Sequence, residues 1–205
     1  MPSVHFFIDY QNLHLSVREA FNPPQGTPPD TYLIHPARFA EEVMKVRREV
    51  LPGLRTNAWP AAAEEELTEI HVYRGQPDST RQKMPASKNK AQAAEWTRDR
   101  RATVHSRALR YPRDWPEERA REKGVDVMLA CHFVRHAIEK RADTLILASR
   151  DTDLLPALEM ARELGVRVET AMWKDASRLR LKGDPLWSTL LDIRGYLASK
   201  DTRQY

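Results

Sequence analysis

The stretch from Thr144 to Leu154 (Thr-Leu-Ile-Leu-Ala-Ser-Arg-Asp-Thr-Asp-Leu) constrains the fold more than any other part of the chain. Its first half is a short apolar run of the kind that forms a strand buried on both faces. The run stops at Ser149-Arg150-Asp151-Thr152-Asp153. Leu154, Leu155, Leu158, Met160, Ala161 and Leu164 then recur at helical spacing. The pattern reads as strand, tight acidic turn, helix. In open α/β sheets, ligands bind outside the carboxyl ends of the strands. Asp151 and Asp153 at such a point repel each other unless a positive charge lies between them, a need that a divalent cation meets. Carboxylates also cap helices well. On this stretch alone, cap and metal site both remain open.

The chain start repeats the arrangement. Val4-His5-Phe6-Phe7-Ile8-Asp9 is an apolar strand closed by an acid, and a helix follows from about Asn12 to Phe21. Thr68 to Tyr73, Thr103 to Leu109 and Val166 to Ala171 also read as strands. Strand, helix, strand from Thr144 to Ala171 is a βαβ unit, which implies parallel pairing. A helix is expected from Ala37 to Val50. It turns Phe39, Val43, Val46 and Val50 inward and Glu41, Glu42, Lys45, Arg47 and Arg48 outward. Another is expected from Ala86 to Arg101. A third starts at Lys123-Gly124-Val125-Asp126 and runs to about Lys140, burying Val125, Met128, Leu129, Phe133, Ala137 and Ile138. Cys131, the single cysteine, falls in this apolar pattern and reads as a small buried hydrophobe. Asp126 sits in the first turn, where the helix dipole favours an acid. A helix start after glycine is also a good place from which to aim a carboxylate at a site. Asn22 to Pro36 reads as a loop, and Leu51 onwards as irregular. Glu64-Glu65-Glu66 reads as solvated, since no buried strand delivers it. Leu179 to Leu191 reads as a closing helix and edge segment, and residues 199–205 as a loose tail.

Charge is unevenly spread. From Arg81 to Lys123 there are 13 Lys or Arg against 6 Asp or Glu, while the rest carries 20 against 23. A basic block on a slightly acidic protein suits a polyanion partner, although a solvated charged helix gives the same composition. Lys88, Lys90, Arg107 and Arg110 lie in this block with Trp96, Tyr111 and Trp115. Cations hold phosphates and aromatics stack on bases, a mixture suited to flexible RNA. The aromatics could equally anchor the block to the core, the role expected for Trp96. The 205 residues suffice for one medium domain. Zinc-type Cys/His spacing, a membrane span and a signal peptide are not expected, which leaves a cytoplasmic location as the default.

The ordered set Asp9 and Asn12, Lys123-Gly124-Val125-Asp126, Ser149-Arg150-Asp151-Thr152-Asp153 and Gly165-Val166-Arg167-Val168 resembles the NYN-domain branch of the PIN-like nucleases. The likeness is clear at the first strand and from Lys123 to about Leu191, and weak between Asn22 and Arg121. It implies an α/β fold, a three-layer Rossmann-like (PIN-like) sandwich with a mainly parallel central sheet. That domain spans residues 1–198, with a basic insert at about 81–123 and a tail at 199–205. By the resemblance, Asp9 is a first-strand metal ligand with Asn12 as its polar neighbour. Asp126 is the acid of the Lys-Gly-Val-Asp motif, and Asp151 and Asp153 are the paired acids of a motif usually written Ser-Gly-Asp-Ser-Asp. The sequence departs from the family at two points. Arg150 replaces the usual glycine, and His132 stands where many relatives have another Asp.

What the resemblance implies is Mg²⁺- or Mn²⁺-dependent endonucleolytic cleavage of RNA, leaving 5′-phosphate and 3′-hydroxyl ends. The chemistry agrees, because these ions prefer short, rigid oxygen ligands. Asp151 or Asp153 would act as general base, and Lys123 or Arg150 would offset developing charge. The alternative is an RNA-binding module with weak or no catalysis, motivated by His132. A phosphotransferase or phosphatase of another α/β family ranks last, since no glycine-rich phosphate loop is present. The oligomeric state is left open, with a homodimer as one option.

Overall fold

A computed structural model describes the protein apart from residues 24–25, 51–64, 182 and 184–185. Its centre is a six-stranded sheet in the order β3-β2-β1-β4-β5-β6. The strands are β1 (Ser3–Asp9), β2 (Glu66–Gln76), β3 (Ala102–Ala108), β4 (Thr144–Ala148), β5 (Arg167–Trp173) and β6 (Trp187–Leu191). Every pairing is parallel. The order reverses between β1 and β4, and such a switch point opens a crevice at the strands' carboxyl ends.

Helices cover both faces. The α1 (Tyr10–Phe21), α2 (Pro36–Val50), α3 (Lys83–Trp96) and α6 (Ile193–Ser199) helices share one core with Val4, Phe6, Ile8, Ile146 and Ala171. The α4 (Val125–Ile138) and α5 (Leu155–Glu163) helices close the other face over Phe7, Tyr73, Leu145 and Leu147. Period-two alternation along β1 divides the two cores, and burial of β4 on both faces matches its unbroken apolar sequence.

Several expectations change. Arg47, expected on the outer face of α2, is fully buried. Its Nε lies 2.6 Å from Glu169 Oε2, and its Nη2 lies 2.5 Å from Glu65 Oε2. Glu65, expected in solvent, is buried there and also accepts a hydrogen bond from Thr144 Oγ1 at 2.8 Å. Long-range charge pairing overrides the helical pattern at this point. Glu64 and most of the irregular stretch from Leu51 lie outside the described residues. Val50, Ile138 and Cys131 are exposed. The basic helix α3 stops at Trp96, so Arg98, Arg100 and Arg101 follow it. Of the expected closing helix and edge segment, Trp187–Leu191 form the edge strand β6, while the helix, α6, comes only after it. The final residues dock. Ile34 and Lys200 form an antiparallel bridge, and buried Asp201 accepts a hydrogen bond from Trp96 Nε1 at 3.0 Å. Trp96 is fully buried, as expected of an anchor. Of residues 81–123, α3 and β3 complete a βαβ unit with β2, and the excursion beyond them is pinned by an Arg110–Arg121 bridge.

Candidate active site

The switch point brings together acids from three separate parts of the chain. Asp9 ends β1, Asp151 follows β4, and Asp126 lies in the first turn of α4. All three line one open cavity of about 380 Å³, together with Asn12, Arg150 and Glu122. Asp9 caps α1: one carboxylate oxygen accepts from the Asn12 backbone N–H at 3.1 Å, and the other accepts from Ser149 Oγ at 3.1 Å. Asn12 Oδ1 in turn accepts from the Arg150 backbone N–H at 3.1 Å, tying the ends of β1 and β4 together. Asp151 accepts from the Asp153 backbone N–H at 3.0 Å, a cap on a short 3-10 turn. The cap and site roles that compete in the sequence are therefore compatible. Capping occupies one oxygen of each acid and fixes its rotamer.

Burial is the main reason the Asp9 carboxyl is raised to about 6, with Glu122 and Asp151 adding like-charge repulsion against the two hydrogen bonds. Burial likewise raises Glu122, with Asp126 contributing and Arg74 opposing. Glu122 escapes the sequence reading because it sits within the basic block. Its position directly before Lys123-Gly124-Val125-Asp126 was the available signal. Glu122 Oε1 accepts from the Gly75 backbone N–H at 2.5 Å. A Cβ on Gly75 would lie 2.8 Å from Glu122 Cγ and 2.3 Å from Leu109 Cδ2, so a larger residue there would push both side chains aside. Gly124 starts α4 at φ +73°, and the Arg107 guanidinium lies against it.

Not every expected site residue meets the cavity. Asp153 is exposed and does not line it. His132 is also outside: its Nδ1 is 3.0 Å from Tyr73 Oη, and its ring packs edge-on against His105. Arg150 lines the cavity and pairs with Glu19. Two further cavities meet the first at Glu122. One is lined by Lys88, Arg74 and Gln92, the other by Arg110, Arg121 and Lys123. Lys90 is exposed and lines none of the three. Arg74, missed in the sequence, lies over the adjacent Tyr10 and Trp96 rings, 4.9 Å from each centroid. Tyr111 braces the basic segment, donating to Gln82 Oε1 at 2.8 Å beneath the Arg81 guanidinium.

On the α4 face, His5, His71, His105, His132 and His136 form a continuous row. Burial is the leading reason that the His71 ring is pushed down to about 3, and the His105 and His136 rings to about 4.

The parallel sheet with helices on both faces and acids at its switch point is an α/β fold of PIN-like type. The NYN domain model matches residues 3–183, and the chain belongs to the NYN domain family, a family of PIN-like nucleases. The match runs through the region between Asn22 and Arg121, where the motif likeness is weak. No curated protein matches the chain. A solved structure of a protein of unknown function from Vibrio parahaemolyticus is similar over 84% of this chain and 82% of its own, at 15% identity and a TM-score of 0.48. Among the described residues, no helix is long and apolar enough to cross a membrane.

Proposed function

We propose that the protein is a metal-dependent endoribonuclease, with Asp9, Asp126 and Asp151 holding Mg²⁺ or Mn²⁺. The observation that carries this reading is the convergence of acids from β1, α4 and β4 on one cavity. The residues fit such an ion. The donor set is carboxylate oxygen, and Asp9 is a partly buried acid beside two others, a charge arrangement that a divalent cation relieves. When bound, the ion supplies an acidified water and neutralises phosphate charge.

The chain's own groups do the rest. Asn12 and Ser149 hold the two strand ends and the Asp9 rotamer, so the carboxylates are preorganised before substrate arrives. Glu122 supplies a fourth carboxylate at the rim where the three cavities meet, and takes the place in the charge balance that His132 leaves vacant. Asp151 keeps one oxygen free of its cap bond and serves as the base for the attacking water. Asp153 acts through the turn, where its backbone N–H fixes Asp151. Lys123 and Arg150 flank the acids and offset charge on the phosphate. Lys88 and Arg110 extend a basic track along the adjoining cavities, Arg107 adds its charge beside Gly124 at the start of α4, and Lys90 adds to the general positive field.

The test is cleavage of labelled single-stranded and structured RNAs with Mg²⁺, Mn²⁺ or EDTA, with product ends determined. The reading expects metal-dependent cuts leaving 5′-phosphates, lost in Asp9→Asn and Asp151→Asn with the circular dichroism unchanged. RNA binding with no cleavage under any metal would replace it with the RNA-binding module.

A further inference from the structure

A second set of metal-binding side chains lies well away from the acids. His5 and His71 stand on the α4 face of the adjacent strands β1 and β2, and pairing sets Glu69 opposite His5. His136, near the C-terminal end of α4, packs onto them. It is ten residues from Asp126, roughly 15 Å along a helix. His5 Nδ1 is 2.9 Å from His136 Nδ1 and 3.6 Å from Glu69 Oε2. Glu69 Oε2 is 2.8 Å from His71 Nε2. One ligand atom from each of the four residues lies within 4.8 Å of all the others. Donors about 2.0–2.1 Å from a tetrahedral zinc stand roughly 3.3 Å apart. The observed separations bracket that value.

We propose that His5, Glu69, His71 and His136 form a buried site for a first-row transition-metal cation of Zn²⁺ type, separate from the oxygen-lined active site. Three features support it. Two imidazole nitrogens face each other at 2.9 Å, so one must turn a proton towards the other unless a cation takes the place between them. His71 Nδ1 is 3.1 Å from His105 Nε2. Donation to His105 from Nδ1 leaves His71 Nε2 free to ligate, the outer hydrogen bond that orients metal-bound histidines. The Glu69 side chain is 43% exposed while His5 is 4%, so the carboxylate provides the route from solvent to a closed interior. Arg141, the nearby cation, is engaged by Glu139 at 2.5 Å. Three imidazoles and one carboxylate select Zn²⁺ and its neighbours over Mg²⁺. The ion would cross-link β1, β2 and α4, two of which carry Asp9 and Asp126.

The test is Co²⁺ and Zn²⁺ titration of untagged protein stripped of metal. The proposal expects a tetrahedral Co²⁺ visible spectrum, abolished by one equivalent of Zn²⁺, and a higher Tm with Zn²⁺. Both should persist in the Asp9→Asn/Asp151→Asn double variant. Both should be lost in His136→Gln. In Glu69→Gln, whose partly exposed site tolerates the change, Zn²⁺ affinity should fall about tenfold or more. Absence of the tetrahedral spectrum in the wild type overturns the proposal even if the histidine variant fails to fold. So does a spectrum lost only with the aspartates. Neither result bears on RNA cleavage, which is read separately.

Discussion

Asp9 is helix cap, strand-end clamp and cavity-lining carboxylate at once, and burial raises its carboxyl against the cap and clamp hydrogen bonds. An acid raised to about 6 in the folded state binds more protons than its unfolded counterpart. Its contribution to stability is therefore fully present below the unfolded pKa, near 4, and is lost as pH rises through about 6. In metal-free protein at pH 8, Asp9→Asn, which keeps the cap and the Ser149 contact, should raise Tm, and the difference should vanish towards pH 4. Thermal melts across this range check it, and an equal shift at both ends would contradict it. The same titration predicts that Mn²⁺ affinity falls as pH drops below about 6. Glu122 belongs at this scale too. Glu122→Gln keeps the Gly75 contact while removing the charge, and should lower cleavage by about 10- to 100-fold. His132→Asp should change it little, because His132 faces Tyr73 and His105.

At the scale of elements, the Arg47 network shows what pattern reasoning reaches. Helix α2 was legible from its apolar repeat, and so were β1 and β4 with their closing acids, because the signal lies within a few consecutive residues. Arg47 was not legible. Its partners Glu65 and Glu169 come from the ends of other elements, and only folding reveals that the charges meet. Glu122 was hidden for a related reason, since its neighbours in sequence are basic and its neighbours in space are acids. Cys131 and Ile138 show the reverse: they extend an apolar pattern beyond the stripe that packs. Removing one member of a buried ion network leaves its partners uncompensated, at a cost of about 3–5 kcal/mol. Arg47→Leu should therefore lower stability in chemical denaturation, by less than that full cost because Arg167 Nε stays 2.8 Å from Glu169 Oε1. Activity per folded molecule should hold, because the network lies towards the strands' amino ends and away from Asp9.

The whole molecule joins an acid site to a basic track. The order 3-2-1-4-5-6 follows from two βαβ series running outward from β1 and β4, and it fixes the site at the point where they diverge. The parallel sheet was readable from the β4–α5–β5 unit, whereas the docking of residues 199–201 and the strand β6 were not. Their short, mixed segments carry no period, and Trp96 and Ile34 hold the chain end from a distance. If Lys88, Arg110 and Lys123 each contact a phosphate, replacing all three by Ala should weaken RNA binding. The log–log salt slope should fall by about 2, at about 0.7 per single-strand phosphate. An unchanged slope would place the RNA elsewhere.

The proposed active site requires Asp9, Asp126 and Asp151 to act together on one ion, and anomalous diffraction from crystals soaked in Mn²⁺ with Zn²⁺ already supplied tests that most directly. A manganese peak within ligand distance of Asp9 and Asp151, with Asp126 or Glu122 bound directly or through water, is the predicted result. Full manganese occupancy elsewhere, with none between these carboxylates, would contradict it.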